Sequence, residues 1–163
     1  MKEVWRRWKA LIAASLVAPI LAATLSATLL AMLVFPELIF QVEVSSGVYR
    51  DASIHEIATS LVGFALMGLA FGVILGWPAM IIGGVPVHAF LVRIRRTDFL
   101  VYALSGALLG TLVMLVYFVG TSGFRDPVSV LTSGPILLSG PLTGLLTAAQ
   151  FWLIRRPDRI LMS

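Results

Sequence analysis

Long uncharged stretches alternate with short charged segments along this sequence. Asp, Glu, Lys and Arg are absent from four stretches, at positions 10–36, 57–92, 99–124 and 127–154. Each stretch exceeds the about 20 residues that an α-helix needs to cross about 30 Å of hydrocarbon. The pattern predicts one all-α integral membrane domain, a compact bundle of four transmembrane helices at about residues 10–35, 57–83, 99–120 and 129–154.

The second uncharged stretch is the longest, yet it is too short for two crossings and a turn. Gly83, Gly84 and Pro86 disfavour helix continuation, so the crossing helix is predicted to end near residue 83. A cytoplasmic loop at 84–98 follows, in which we expect His88–Arg96 to lie along the membrane interface.

Lysine and arginine set the predicted orientation. Ten of the twelve basic residues precede the first helix, follow the second or follow the fourth; the exceptions are Arg50 and Arg125. Because basic segments stay on the cytoplasmic side, both termini and loop 84–98 are predicted inside, and loops 36–56 and 121–128 outside. The same residues explain the net charge of +4 without a nucleic-acid partner, and they favour anionic lipid at the cytoplasmic face.

The first outer loop carries a short pattern typical of β-structure. Apolar and polar residues alternate from Phe40 to Ser45, and Ser46-Gly47 is suited to a turn back toward Val48 and Tyr49. We expect a small hairpin there.

The composition indicates lipid as the main solvent. The apolar fraction is 59% and the charged fraction 12%, against about 45–50% and about 25% in soluble domains. Cysteine is absent, which excludes disulfides, thiolate metal sites and cysteine nucleophiles.

Small residues recur at four-residue spacing in every predicted helix. Residues four apart share one helix face, and a row of small ones admits a neighbouring backbone. We expect these rows to pack the helices together, with an interface to another copy or another protein as the alternative. The rows are Ala14, Ala18 and Ala22; Gly68, Gly72 and Gly76; Gly106 and Gly110; and Gly140, Gly144 and Ala148.

The sequence contains no motif that is typical of a catalytic site. No ionisable residue lies near the middle of a predicted crossing, and the sequence contains no Gly-x-Ser-x-Gly, His-Glu-x-x-His or phosphate-binding glycine loop. We therefore predict no catalytic, metal-binding or cofactor-binding residues, and the sequence does not indicate which cofactor, if any, is bound.

Four polar residues are candidates for a site near the membrane surfaces: His55, Glu56, His88 and Gln150. The second helix separates the two histidines across the membrane, so one metal ion or haem cannot take both within a protomer. Gln150, deep in the fourth helix, is suited to an interhelical hydrogen bond.

Three functions are consistent with these features. The arrangement resembles small bacterial inner-membrane proteins, and the leading hypothesis is a non-catalytic protein that binds another membrane protein, or itself, through its helices. Such a protein would be an accessory subunit, an assembly factor or an immunity-type protein. The alternatives are a small oligomeric channel or transporter, and a lipid-modifying enzyme with its site in loop 36–56.

Overall fold

The structure, a computed structural model, describes residues 2–122 and 137–155. This part of the chain forms five helices and one two-stranded antiparallel sheet. In chain order the elements are α1 (Lys2–Val34), α2 (Glu37–Phe40), β1 (Gln41–Ser45), β2 (Val48–Asp51), α3 (Ile54–Arg93), α4 (Phe99–Ser122) and α5 (Ser139–Arg155).

Three of these helices are long and apolar enough to cross a membrane. They are Trp8–Val34 within α1, the whole of α3, and Phe99–Thr121 within α4. The prediction of a mostly helical chain is therefore confirmed, and the three helices are consistent with a membrane protein. The described part of α5 has 17 residues. The start of the predicted fourth helix and most of the second outer loop fall within 123–136, outside the described residues, so the fourth crossing stays a prediction.

α3 continues through the residues at which the sequence predicts its end. The glycines at 83–84 and Pro86 lie inside this 40-residue helix, which runs to Arg93. This finding corrects both the predicted end near residue 83 and the predicted start of a loop at residue 84. About 60 Å of helix results, at 1.5 Å per residue.

Two wide π-helical turns explain why α3 does not break. In the first, the Trp77 N–H donates to the Gly72 carbonyl, five residues back; in the second, the Val85 N–H donates to the Met80 carbonyl. Each of these donors immediately precedes a proline, which has no N–H to donate. Local π-type bonding is one way in which membrane helices satisfy the carbonyls that proline frees, so the helix continues.

α1 lies between α3 and α5, and α5 also packs against α4. Ala14 and Ala18 of α1 are fully buried in a core that includes Met80, Tyr102 and Phe151, one residue from each of the other three long helices. Two tryptophans donate hydrogen bonds to backbone carbonyls in the half of the bundle that contains the C-terminal end of α3. The sequence predicts this half to be cytoplasmic, and we call it the inner half and the opposite one the outer half. The Trp77 indole N–H donates to Leu16 at 2.9 Å, and that of Trp152 donates to Thr97 at 2.8 Å.

The predicted hairpin is confirmed. β1 and β2 pair in antiparallel register, and the connecting turn contains Gly47 with a φ of +79°, which a glycine adopts without the strain of a Cβ atom. The Gly47 N–H donates to Glu43 Oε1 at 3.0 Å. Ser53 then caps α3 through a reciprocal pair of hydrogen bonds with Glu56.

Candidate functional site

A cleft of about 640 Å³ runs through the middle of the bundle, and all four long helices line it. Its lining residues on α4 extend from Tyr102 to Thr121, a length of about 28 Å along the helix axis. A space of this volume that extends over such a length is much longer than it is wide. The cleft is therefore long and narrow.

An aromatic cluster closes the inner end of the cleft. His88 of α3, Tyr102 of α4 and Phe151 of α5 are 7%, 4% and 2% exposed. His88 Nδ1 and the Tyr102 hydroxyl lie 2.6 Å apart in a hydrogen bond. The Phe151 ring contacts His88 edge-on, with centroids 5.1 Å apart, and stacks on Tyr102 at 6.4 Å.

One close contact between α3 and α4 positions the residues of this cluster. A Cβ atom at Gly83 would lie 2.6 Å from a methyl group of Leu109, so only glycine lets α4 approach α3 here without displacing that side chain. One and a half turns further along α3, His88 comes beside Tyr102. The wide turn at Met80–Gly84 also changes the helical phase of every residue that follows it, including His88.

The walls of the cleft are apolar with isolated hydroxyl groups. Ser26 of α1 and Thr143 of α5 are hydrogen-bonded to each other and both line the cleft. Ser105, Thr147 and Ser139 add further hydroxyls at other depths. No Asp, Glu, Lys or Arg lines the cleft among the described residues.

The outer half of the cleft is not sealed by the described residues. Met67 and Phe71 of α3 line it and remain 53% and 45% exposed, and Tyr117 on the α4 side is also exposed. The close contacts between α3 and α4 lie instead at the inner end, around Gly83 and His88. Among residues 2–122 and 137–155, the cleft is therefore closed toward the predicted cytoplasmic end and unsealed toward the other.

The small residues singled out in the sequence lie at two helix crossings. Gly68 and Gly72 face the α1 backbone, where added Cβ atoms would lie 2.6 Å from the Ala23 carbonyl oxygen and 2.9 Å from Ile20 Cα; Gly76 faces Pro19. At the other crossing, α4 meets α5 through Gly106, Gly110, Gly140, Gly144 and Ala148. Ala14, Ala18 and Ala22 are fully buried, on the helix that packs against both α3 and α5.

The four candidate polar residues are not brought together. His55 and Glu56 begin α3 at its outer end, whereas His88 lies 33 positions later, near the other end of the same helix. Gln150 is on α5, and its Oε1 is buried with no hydrogen-bond partner among the described residues. Of the four, only His88 lines the cleft.

Glu56 instead belongs to a surface ion pair. Its Oε1 lies 2.6 Å from Arg50 Nη2, and this hydrogen bond, together with the carboxylate charge, raises the pKa of the Arg50 guanidinium. Ser53 also donates to Glu56. The described residues contain no group of three or more His, Cys, Asp or Glu side chains placed to hold a metal ion.

Sequence reasoning missed Tyr102, Phe151 and Thr143, which complete the cleft. One signal for Tyr102 was present: it precedes Gly106 and Gly110 at four-residue spacing, and residues at that spacing share a helix face. Phe151 had no comparable signal, because aromatic residues are frequent in every apolar stretch.

No protein-family model, curated protein or solved structure matches this chain.

Proposed function

We propose that this protein is a non-catalytic membrane protein that binds a long apolar chain, such as that of a lipid, in its central cleft. The observation that carries this proposal is the shape of the cleft. Its volume lies within the range of about 300–1,000 Å³ typical of small-ligand pockets, but the space is drawn out over about 28 Å.

A long apolar chain suits this space, because the lining is apolar and extends along α4 from Tyr102 to Thr121. A void of this size would also leave its lining atoms without partners on one side, which forfeits dispersion energy. Because the described residues leave the outer half unsealed, a chain from the surrounding membrane can enter between them and supply those contacts.

The experiment compares two tryptophan substitutions on α4. Val113 lines the cleft, whereas Val116, three residues further along the same helix, does not line it and is 64% exposed. The proteins are purified from native membranes in mild detergent, washed, and their bound lipids quantified by mass spectrometry. We expect the wild type and Val116→Trp to retain bound chains and Val113→Trp to lose them. Equal retention by both variants would refute the proposal.

We further propose that the chain crosses the bacterial cytoplasmic membrane four times with both termini in the cytoplasm. The charge asymmetry and the three described helices support this topology. The sequence has no cysteine, so single cysteines at Ser46 and Ile94 report accessibility without background. A membrane-impermeant maleimide should label Ser46→Cys in intact cells and Ile94→Cys only after permeabilisation. Labelling of Ile94→Cys in intact cells would contradict the topology.

A second candidate function is binding of another membrane protein, and the outer hairpin favours it. Val44, Val48 and Tyr49 are exposed on the hairpin, and Ile54, at the start of α3, is also exposed. Exposed apolar groups clustered outside a membrane helix often mark an interaction surface. If this candidate is correct, native gels should show a complex larger than the monomer, which Val48→Asp should dissociate. A monomeric wild type from native membranes would argue against it.

A further inference from the structure

The inner end of the cleft can recognise more than an apolar chain. Any apolar chain fills an apolar groove about equally well, so selectivity requires a polar group at a defined position. His88 supplies one: it is buried, it lines the cleft, and the Tyr102 hydroxyl holds one of its ring nitrogens at 2.6 Å.

The hydrogen bond between His88 Nδ1 and Tyr102 determines whether the other ring nitrogen, Nε2, carries the proton. A phenol is a better donor than a neutral imidazole N–H, and an imidazole nitrogen is a better acceptor than a phenol oxygen, so the favoured direction is from Tyr102 to Nδ1. The imidazole proton then resides on Nε2. Nε2 makes no hydrogen bond within 2–122 and 137–155, so its N–H is available to a ligand.

The lining favours a neutral acceptor. It contains no Asp, Glu, Lys or Arg in the described ranges, and the charge of Arg155, which acts on both His88 and Tyr102, comes from a residue outside the lining. A phosphate head would have to give up its hydration in an apolar lining with that charge outside it, and an ammonium head would be repelled by it. A carbonyl oxygen can accept from Nε2 without bringing a charge into the membrane interior.

The length of the cleft indicates how long the bound chain must be. About 28 Å nearly equals the about 30 Å thickness of the whole hydrocarbon layer. An acyl chain of a phospholipid covers only one leaflet, about half of that thickness. A molecule that places its head at His88 and fills the cleft outward therefore needs a chain longer than one leaflet.

We propose that the cleft binds an isoprenoid quinone, with a ring carbonyl accepting a hydrogen bond from His88 Nε2 and the isoprenoid chain extending toward the outer end. This inference rests on the proposed function, because it names the ligand of the same cleft. The ring lies beside Phe151 and Tyr102, whose flat faces suit a planar head.

The test measures binding of ubiquinone-10 to the full-length protein in lipid nanodiscs by native mass spectrometry. Squalene, an isoprenoid hydrocarbon without a polar head, and polyprenyl phosphate, with a charged head, serve as comparison ligands. Two substitutions separate the ring nitrogens: His88→Asn keeps a polar group near Nδ1 and removes the one at Nε2, whereas His88→Gln keeps a donor near the Nε2 position.

We expect ubiquinone-10 to bind in preference to both comparison ligands. His88→Asn should weaken its binding about tenfold, the usual effect of losing one buried hydrogen bond, while His88→Gln should stay within about twofold of the wild type. Thermal melting of both variants verifies that each is folded. Neither substitution should change squalene binding.

Two results would overturn the quinone proposal alone. One is equal or tighter binding of squalene or polyprenyl phosphate; the other is a folded His88→Asn variant with unchanged quinone binding. In both cases the proposed function stands if Val113→Trp still expels the chain. If Val113→Trp leaves every ligand bound, the proposed function fails together with the quinone assignment.

Discussion

The close approach of α1 and α3 can be tested with one methyl group. Gly68→Ala adds a Cβ atom that would lie 2.6 Å from the Ala23 carbonyl oxygen and 2.8 Å from both Thr24 Cα and Ala27 Cβ. These are backbone atoms or a rigid methyl group, so none of them can rotate away. Gly63→Ala, on the same helix, is the matched control because nothing lies within 4 Å of its added Cβ atom.

The contact distances set the size of the effect. Ordinary van der Waals contact begins at 3.4 Å, so α1 and α3 must separate locally by about 0.8 Å. A gap of about 0.5–1 Å removes roughly a quarter to a half of the attraction at each affected contact. Packing is the main force between helices in lipid, so we expect Gly68→Ala to destabilise the protein by about 1–3 kcal/mol.

The control, Gly63→Ala, should change the free energy of unfolding in the opposite direction. Replacing glycine by alanine within a helix stabilises it by about 0.5–1 kcal/mol when the added methyl group meets nothing. The assay is reversible unfolding in mixed micelles with increasing SDS, followed by circular dichroism. If Gly68→Ala is as harmless as Gly63→Ala, then the two helices do not approach as closely as the structure shows.

Three further predictions concern single local contacts. Trp77→Phe removes the indole N–H that donates to the Leu16 carbonyl, and it should lower the free energy of unfolding by about 0.5–1.5 kcal/mol in the same SDS assay. Gly47→Ala forces a Cβ atom into the left-handed region at φ +79°, so the hairpin should lose about 1–2 kcal/mol, measured as faster amide hydrogen exchange. Arg50→Gln removes the ion pair with Glu56, and the hairpin amides should exchange faster at low salt, with a smaller difference at high salt; no dependence on salt would contradict an electrostatic contribution.

The prediction about α3 shows where local reasoning failed. Glycine and proline disfavour a helix in water, and on that basis the sequence predicts an end near residue 83. In a membrane, an end would expose backbone groups with no water to satisfy them, which costs more than a widened turn. The helix therefore continues through the π turn at Met80–Gly84 and delivers His88 to the cleft.

The predictions that succeeded follow from strong local rules. Charge-free stretches indicate membrane helices because a charge is costly to place in hydrocarbon, and three described helices have that character. The hairpin follows from alternating apolar residues and a glycine at the turn, both of which act within a few residues.

Hydropathy could not predict which residues face the interior of the bundle, for a physical reason. In a soluble helix the buried face is the apolar one, but in lipid every face is apolar, so hydropathy does not distinguish inward from outward positions. Val113 and Val116 are the same residue type three positions apart; one lines the cleft and the other is exposed. The sequence alone indicated membrane helices and most of their bounds, though not the end of α3, because these outcomes depend mainly on the transfer of each segment from water to oil. Only the tertiary structure decided that His88, Tyr102 and Phe151 meet, because their meeting depends on how closely glycines allow separate helices to approach.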